Sequence, residues 1–259
     1  MKRVIIVGSP RSNGRSAHLA EMLFEANIDE CPEDELFLVP VSEIEVGPCI
    51  GCGACRKESE VIFKGEDGAE VSEMRHRCVF DDDMQTLYDV LDDADELIVV
   101  SPVYFSGAPA PMKCVLDRLQ PYFWASRKKG LEARLAEKRP ATLHVLGEGG
   151  DPHGYDALVS EVRSATAVAG FRLERVLDWI GKIEQDGEIV GEPTAVEGAL
   201  ETPRKPAERP KLDLGSSRPR QGQSAKQGSS RGGRGKPPSG KAEGRKQARG
   251  QSGKGKRRG

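Results

Sequence analysis

An α/β fold built on a doubly wound, five-stranded parallel sheet is predicted by three observations on the first 185 residues. Short β-branched runs alternate with segments of helical period. Loops rich in Gly, Ser and Pro follow the first, third and fourth of those runs. Gly170 closes the last helical segment, and another apolar run starts at once.

Taken in order, the first strand is the run Val4–Val7, and the helix after its loop carries Leu19, Met22, Leu23 and Ala26 on one face. Leu36–Val41 reads as the second strand, with Pro40 near its end. Ser42–Phe80 has no clear period and holds four cysteines. A helix starting near Asp81, its N-terminus favoured by Asp81, Asp82 and Asp83, repeats Met84, Leu87, Leu91 and Ala94. Glu96–Ser101 is a buried third strand running into the loop Pro102–Ala110, and Pro111 suits the first turn of the helix PMKCVLDRL. Arg139–Leu146 is the fourth strand and Gly147–Gly150 its loop; a helix over Tyr155–Ala169 then precedes the fifth strand, Phe171–Ile180. The expected order is 2-1-3-4-5, which puts ligands beyond the strand C-termini at the switch between strands one and three.

Charge divides the chain. Residues 1–199 carry 21 Lys+Arg against 37 Asp+Glu, and residues 200–259 carry 18 against 4, so the formal charge of −2 hides an acidic body and a basic tail. The tail has no aromatic residue and almost no apolar side chain, so it is expected to be disordered, with 1–185 as the folded domain and 186–199 as a linker. Its spaced positive charges suit weak, salt-dependent contact with a polyanion or nucleic acid, or loose neutralisation of the body. Val4–Val7 is too short for a secretory h-region and no segment is long enough to span a membrane, so a cytoplasmic, reducing setting is expected. Clustered cysteines there hold metal or do redox chemistry more often than they form structural disulfides.

Three loops then share one sheet edge. The first, GSPRSNGRS, opens a helix whose free N–H groups and positive dipole end favour an anion. Ser9, Ser12, Asn13 and Ser16 offer donors, and Arg11 and Arg15 offer charge. Its glycines fit neither the dinucleotide fingerprint nor the nucleoside-triphosphate loop, which leaves a monophosphate. The second, SPVYFSGAPAPMK, sets Pro102, Val103, Tyr104 and Phe105 where an apolar, aromatic-edged surface meets a flat ring. The third, GEGGDPHG, offers backbone donors with little bulk, and His153 on it is a candidate contact; His18 is expected on a helix surface and His144 inside a strand. A phosphate at one end and a planar heterocycle at the other describe a mononucleotide such as FMN.

On GSPRSNGRS, PCIGCGAC, C-x-F-D-D-D-M, SPVYFSGAPAPMK and DRLQPYFW the chain resembles the flavodoxin-like NAD(P)H-dependent FMN reductases, close to the iron–sulfur flavoproteins, over about its first 180 residues. The resemblance implies that Ser9, Arg11, Asn13 and Ser16 hold the FMN phosphate. It implies that Pro102, Val103, Tyr104 and Phe105 line the isoalloxazine, with Gly149 and Gly150 nearby. It further implies a dimer or tetramer, with Tyr122, Phe123 and Trp124 as interface candidates; core packing explains those three equally well. NAD(P)H would be the co-substrate, the flavin would carry the hydride chemistry, and no catalytic acid or base is assigned.

Cys49-x2-Cys52-x2-Cys55 suits a [4Fe–4S] cluster, with Cys78 as the fourth ligand. In iron–sulfur flavoproteins the last gap is only a few residues; here it is the charged stretch Arg56–Arg77, expected to loop out. Zinc on the same thiolates, or with His76, and unliganded redox thiols are the other readings. Cys114 is expected in the core, and Cys31 has no evident partner. Three functions fit the whole. The first is an FMN-dependent NAD(P)H oxidoreductase serving a flavin, quinone or similar acceptor. The second is an electron carrier joining FMN and [4Fe–4S] to a ferredoxin-like partner, and the third is a polyanion-binding regulator on a flavodoxin-like scaffold.

Overall fold

The computed structural model describes residues 1–64, 68–128 and 138–196. They belong to one compact unit, Met1–Arg204; the second unit, Lys205–Gly259, and with it the expected disorder of the tail, lies outside the described residues.

The elements run β1 (Lys2–Val7), α1 (Arg15–Glu30), β2 (Glu35–Pro40), β3 (Glu58–Lys64), β4 (Glu70–His76), α2 (Met84–Asp93), β5 (Glu96–Pro102), α3 (Ala110–Asp117), α4 (Gln120–Lys128), β6 (Arg139–Leu146), α5 (Asp156–Val168), β7 (Phe171–Asp178) and β8 (Thr194–Ala195). The main sheet is ordered β2-β1-β5-β6-β7-β8. Its first five strands are parallel and reproduce the expected order. The sixth, β8, pairs antiparallel with the end of β7 through Leu177↔Ala195 and Asp178↔Thr194, inside the stretch read as linker. Two residues of mixed character carry no strand signal of their own; pairing alone creates β8.

Alternation along the strands feeds two cores. Val4, Ile6, Leu97, Val99, Ala141 and Leu143 face α2, α3 and α5, while Ile5, Val7, Ile98, Val100 and Leu146 face Leu19 and Ala20 of α1 and Trp179. Helices on both faces explain why these strands read as unbroken apolar runs. Met22, expected on the buried face of α1, is exposed; Leu23 and Phe24 pack there instead. Cys114 is half-buried rather than buried, because α3 turns Met112, Val115 and Leu116 inward. Arg139 joins layers: Nη1 donates to Leu91 O, Asp92 O and Ala94 O at the end of α2, and Nη2 donates to Ala169 O after α5. A cation at two helix C-termini meets carbonyls that have no intrahelical partner.

The stretch expected to loop out is instead an ordered antiparallel ribbon, β3 against β4, registered from Glu58↔His76 to Lys64↔Glu70. Its charged residues concealed the alternation of Val61, Phe63 and Val71 on one face, where Arg75 lies 4.3 Å over Phe63. The base is pinned to α2 by Asp92, which accepts from Arg75 at 3.0 Å and from Arg77 at 2.5 Å. Among the described residues no helix is long and apolar enough to cross a membrane.

Candidate functional site

The loops after β1, β5 and β6 meet at the C-terminal edge of the sheet. Gly8 N donates to Val100 O at 2.7 Å and Val103 N to Leu146 O at 2.9 Å, tying each loop to the next strand. Between them is a cleft of about 240 Å³ lined by Ser9, Arg11, Gly14, Arg15, Ser16, Pro102, Val103, Tyr104, Leu146, Gly147 and Glu148. Six of the ten expected cofactor residues therefore line one space. Asn13 and Phe105 are exposed outside that lining, and Gly149 and Gly150 lie just beyond it with φ of 81° and 84°.

The phosphate end has the properties an anion requires. Ser9 and Ser16 are buried, and Ser9 Oγ accepts from Arg11 N. No side chain caps the start of α1 and no acidic residue occupies its first turn, so its N-terminal donors open toward the cleft unopposed. Arg15 reaches across to Glu148 at 2.5 Å, yet its Nε is buried without a hydrogen-bond partner among the described residues. An orphaned cationic donor in a cleft is costly unless an anion completes it. The floor is tight: a Cβ on Gly8 would stand 2.9 Å from Ser101 Oγ and 3.0 Å from Met112 Cγ. On the ring side Phe105 and Ser106 have φ of 50° and 65°, strained values for residues with side chains, and Phe105 is 99% exposed. These residues fit FMN.

Of the histidines, His153 is exposed and its backbone O accepts from Ser106 Oγ, so it joins the second and third loops through its main chain. His18 is half-buried under the Gly187 turn. His144 is buried on β6, where Trp179 Nε1 donates to its Nδ1 at 2.9 Å.

A second cavity, about 320 Å³, is lined by Cys49, Cys52, Cys55 and Cys78 together with Ile50, Gly51, Gly53, Arg56, Phe80, Asp117, Arg118, Gln120, Pro121 and Trp124. The ribbon accounts for the long gap: pairing Glu58 with His76 brings the flanking Cys55 and Cys78 to the same place, and His76 Nδ1 bonds Cys55 O at 2.8 Å. Gly51 and Gly53, with φ of 67° and 75°, bend the three-cysteine loop. Burial pushes the Cys55 thiol pKa up, and the neighbouring Cys78, Cys49 and Cys52 add to that shift. Among the described residues no three His, Cys, Asp or Glu side chains stand close enough to hold a single metal ion. All four cysteines line this one cavity, and their thiols are soft donors that suit a cluster or zinc. α3 joins the two sites: its N-terminal end follows the Pro102–Tyr104 loop, its C-terminal end reaches Asp117 at the cysteine cavity, and its eight residues span about 12 Å.

Tyr122 is half-buried, its hydroxyl donating to Asp92 at 2.8 Å with Tyr88 O 3.2 Å away; its packing is internal. Trp124 instead borders the cysteine cavity, under the guanidinium of Arg56 at 4.9 Å.

A profile of the NADPH-dependent FMN reductases matches residues 1–173. The chain belongs to this family. Among curated relatives, an iron–sulfur flavoprotein of Methanocaldococcus jannaschii is 31% identical over 47% of this chain and 53% of its own. Another, from Archaeoglobus fulgidus, is 33% identical over 50% of each. The chain spans about half the length of the curated relatives it matches. Among solved structures, an NADH:FMN oxidoreductase in its apo form is 20% identical, with 69% of this chain and 74% of that one covered and a TM-score of 0.42.

Two residues of these sites escaped sequence reasoning. Glu148 was lost in a glycine-rich loop read for its backbone, and Arg118 looked like any charged residue near a helix end. Arg118 had one signal, its place in an otherwise apolar helical stripe.

Proposed function

We propose that the chain binds FMN in the three-loop cleft and passes electrons from reduced nicotinamide through it to a flavin, quinone or similar acceptor. The observation that carries this reading is the uncapped start of α1 beside the unpartnered Nε of Arg15, at one end of a cleft whose other end is Pro102–Tyr104. Ser9, Ser16, Arg15 and the first N–H groups of α1 would hold the phosphate, with Arg11 and Asn13 at its outer side. Pro102, Val103 and Tyr104 would border the ring, with Gly149 and Gly150 leaving room beside it. Bound FMN supplies the chemistry of taking up a hydride and giving electrons up singly or in pairs. The protein's share is to seat the ring and leave one face open to the donor.

The four-cysteine cavity favours a second element, a [4Fe–4S] cluster on Cys49, Cys52, Cys55 and Cys78 relaying single electrons. It also supports the alternative of an electron carrier working with a ferredoxin-like partner. A soluble, cytoplasmic dimer or tetramer, with residues 1–185 as the flavin domain, completes the reading. Anaerobic stopped-flow bleaching of the flavin band separates the two donors. Rapid bleaching by NADPH or NADH supports the reductase, and bleaching by reduced ferredoxin alone supports the carrier. A chain that retains no flavin contradicts both.

A further inference from the structure

Arg118 is the largest fully buried side chain among the described residues. Four of its five N–H donors sit on Nη1 and Nη2, which grip Asp82 at 2.7 and 2.8 Å and reach Gly47 O at 3.1 Å. The fifth, on Nε, is buried with no partner among the described residues, on a side chain that lines the cysteine cavity. Its guanidinium carbon lies 5.1 Å over Phe80, which lines the same cavity two residues after Cys78.

A structural anchor needs only the fork on Asp82. An unmatched donor on a side chain that lines the cysteine cavity asks for an acceptor, and sulfur bearing negative charge is the acceptor this cavity offers. A guanidinium stays cationic in proteins, and Asp82 grips this one through both terminal nitrogens.

We propose that Arg118 is a positioning residue for a cluster in this cavity, its Nε–H donating to a cluster or Cys78 sulfur and its charge raising the potential of the one-electron couple. The proposal rests on the cluster reading above. The reduced cluster carries one more negative charge than the oxidised one, so a fixed donor and cation stabilise it more. Asp82 offsets part of the charge and fixes the fork, leaving Nε–H as the donor still to be matched. A cluster held by the four cysteines would supply one-electron transfer; at Arg118 no bond breaks and no proton moves.

The test is an EPR-monitored redox titration of anaerobically purified protein, with iron and sulfide counted on each sample. Arg118→Gln, which removes the charge, is expected to lower the midpoint by about 59 mV, a tenfold change in the one-electron equilibrium. Arg118→Lys keeps charge without the Nε donor and falls between. Iron-replete variants with the wild-type midpoint overturn the proposal. Should both variants fail to fold, Arg56→Lys protein isotopically labelled at its arginine nitrogens, with Arg118 then the one arginine among the residues lining the cavity, decides by pulsed EPR. Coupling of one guanidinium nitrogen to the reduced cluster supports the assignment, and no coupling overturns it. A wild type lacking iron and sulfide overturns the cluster reading first, a result the metal count separates from failure of the Arg118 role.

Discussion

Mild acid should destabilise this fold through His144. The imidazole is buried on β6, and burial, with a smaller contribution from Arg175, lowers its pKa to about 4. Trp179 Nε1 donates to Nδ1, so the native ring must be neutral there. The folded-state pKa lies below the ordinary 6.5, so the unfolded chain takes the proton first as pH falls. The stabilisation is complete above about pH 6.5, is lost progressively down to about pH 4, and changes no further below that. At pH 5 the loss comes to about 2 kcal/mol, rising to about 3 kcal/mol once both states are protonated. The assay is urea unfolding at pH 8 and pH 5 of wild type and His144→Gln, whose amide oxygen still accepts from Trp179. Acidic groups act alike in both proteins, so their difference isolates His144. The stability of wild type relative to the variant should fall by about 2 kcal/mol between the two pH values. A difference independent of pH would refute the assignment of a buried neutral imidazole. The effect should reach the cleft, because Ile180, next to Trp179, stands 3.1 Å from where a Cβ on Gly149 would lie.

Arg15→Gln should weaken FMN binding about tenfold, the loss of one charge-assisted hydrogen bond, while riboflavin affinity stays unchanged in fluorescence titrations of the apoprotein. Equal losses for both ligands would remove Arg15 from the phosphate site. Gly8→Ala should cost about 1–3 kcal/mol by driving a methyl into Ser101 and Met112, read as a lower thermal midpoint. Phe105→Gly should relieve positive-φ strain and raise stability by about 1 kcal/mol, because this exposed ring contributes little to folding. Deleting residues 200–259 should leave FMN affinity intact; loss of flavin on that truncation would move the domain boundary.

The parallel sheet was legible because its strands are buried on both faces, so ELIVVS and RPATLHVL announce themselves by composition alone. The loops were legible because Gly, Ser and Pro interrupt the apolar runs, and the topology then brings Ser9, Arg11, Ser16 and Pro102–Tyr104 to one cleft. The ribbon was not. Glu58, Glu60, Glu70 and Glu73 mask an alternation that involves only Val61, Phe63 and Val71, and what holds the ribbon is distant, Arg75 and Arg77 on Asp92. Met22 misled because a helical stripe of period 3.6 drifts, and Phe24 sits nearer its centre. Arg118 and the Arg15–Glu148 contact depend on which partners folding supplies, and spacing along the chain carries no record of that.

The central claim is that the cleft holds FMN and the four cysteines hold iron beside it. It is tested most directly by purifying the full chain without oxygen and counting flavin, iron and sulfide per polypeptide on one sample. The account predicts one FMN, released by denaturation, with about four irons and as many sulfides and a broad absorbance that dithionite bleaches. Protein that carries no flavin, and takes up none when FMN is added, would contradict it.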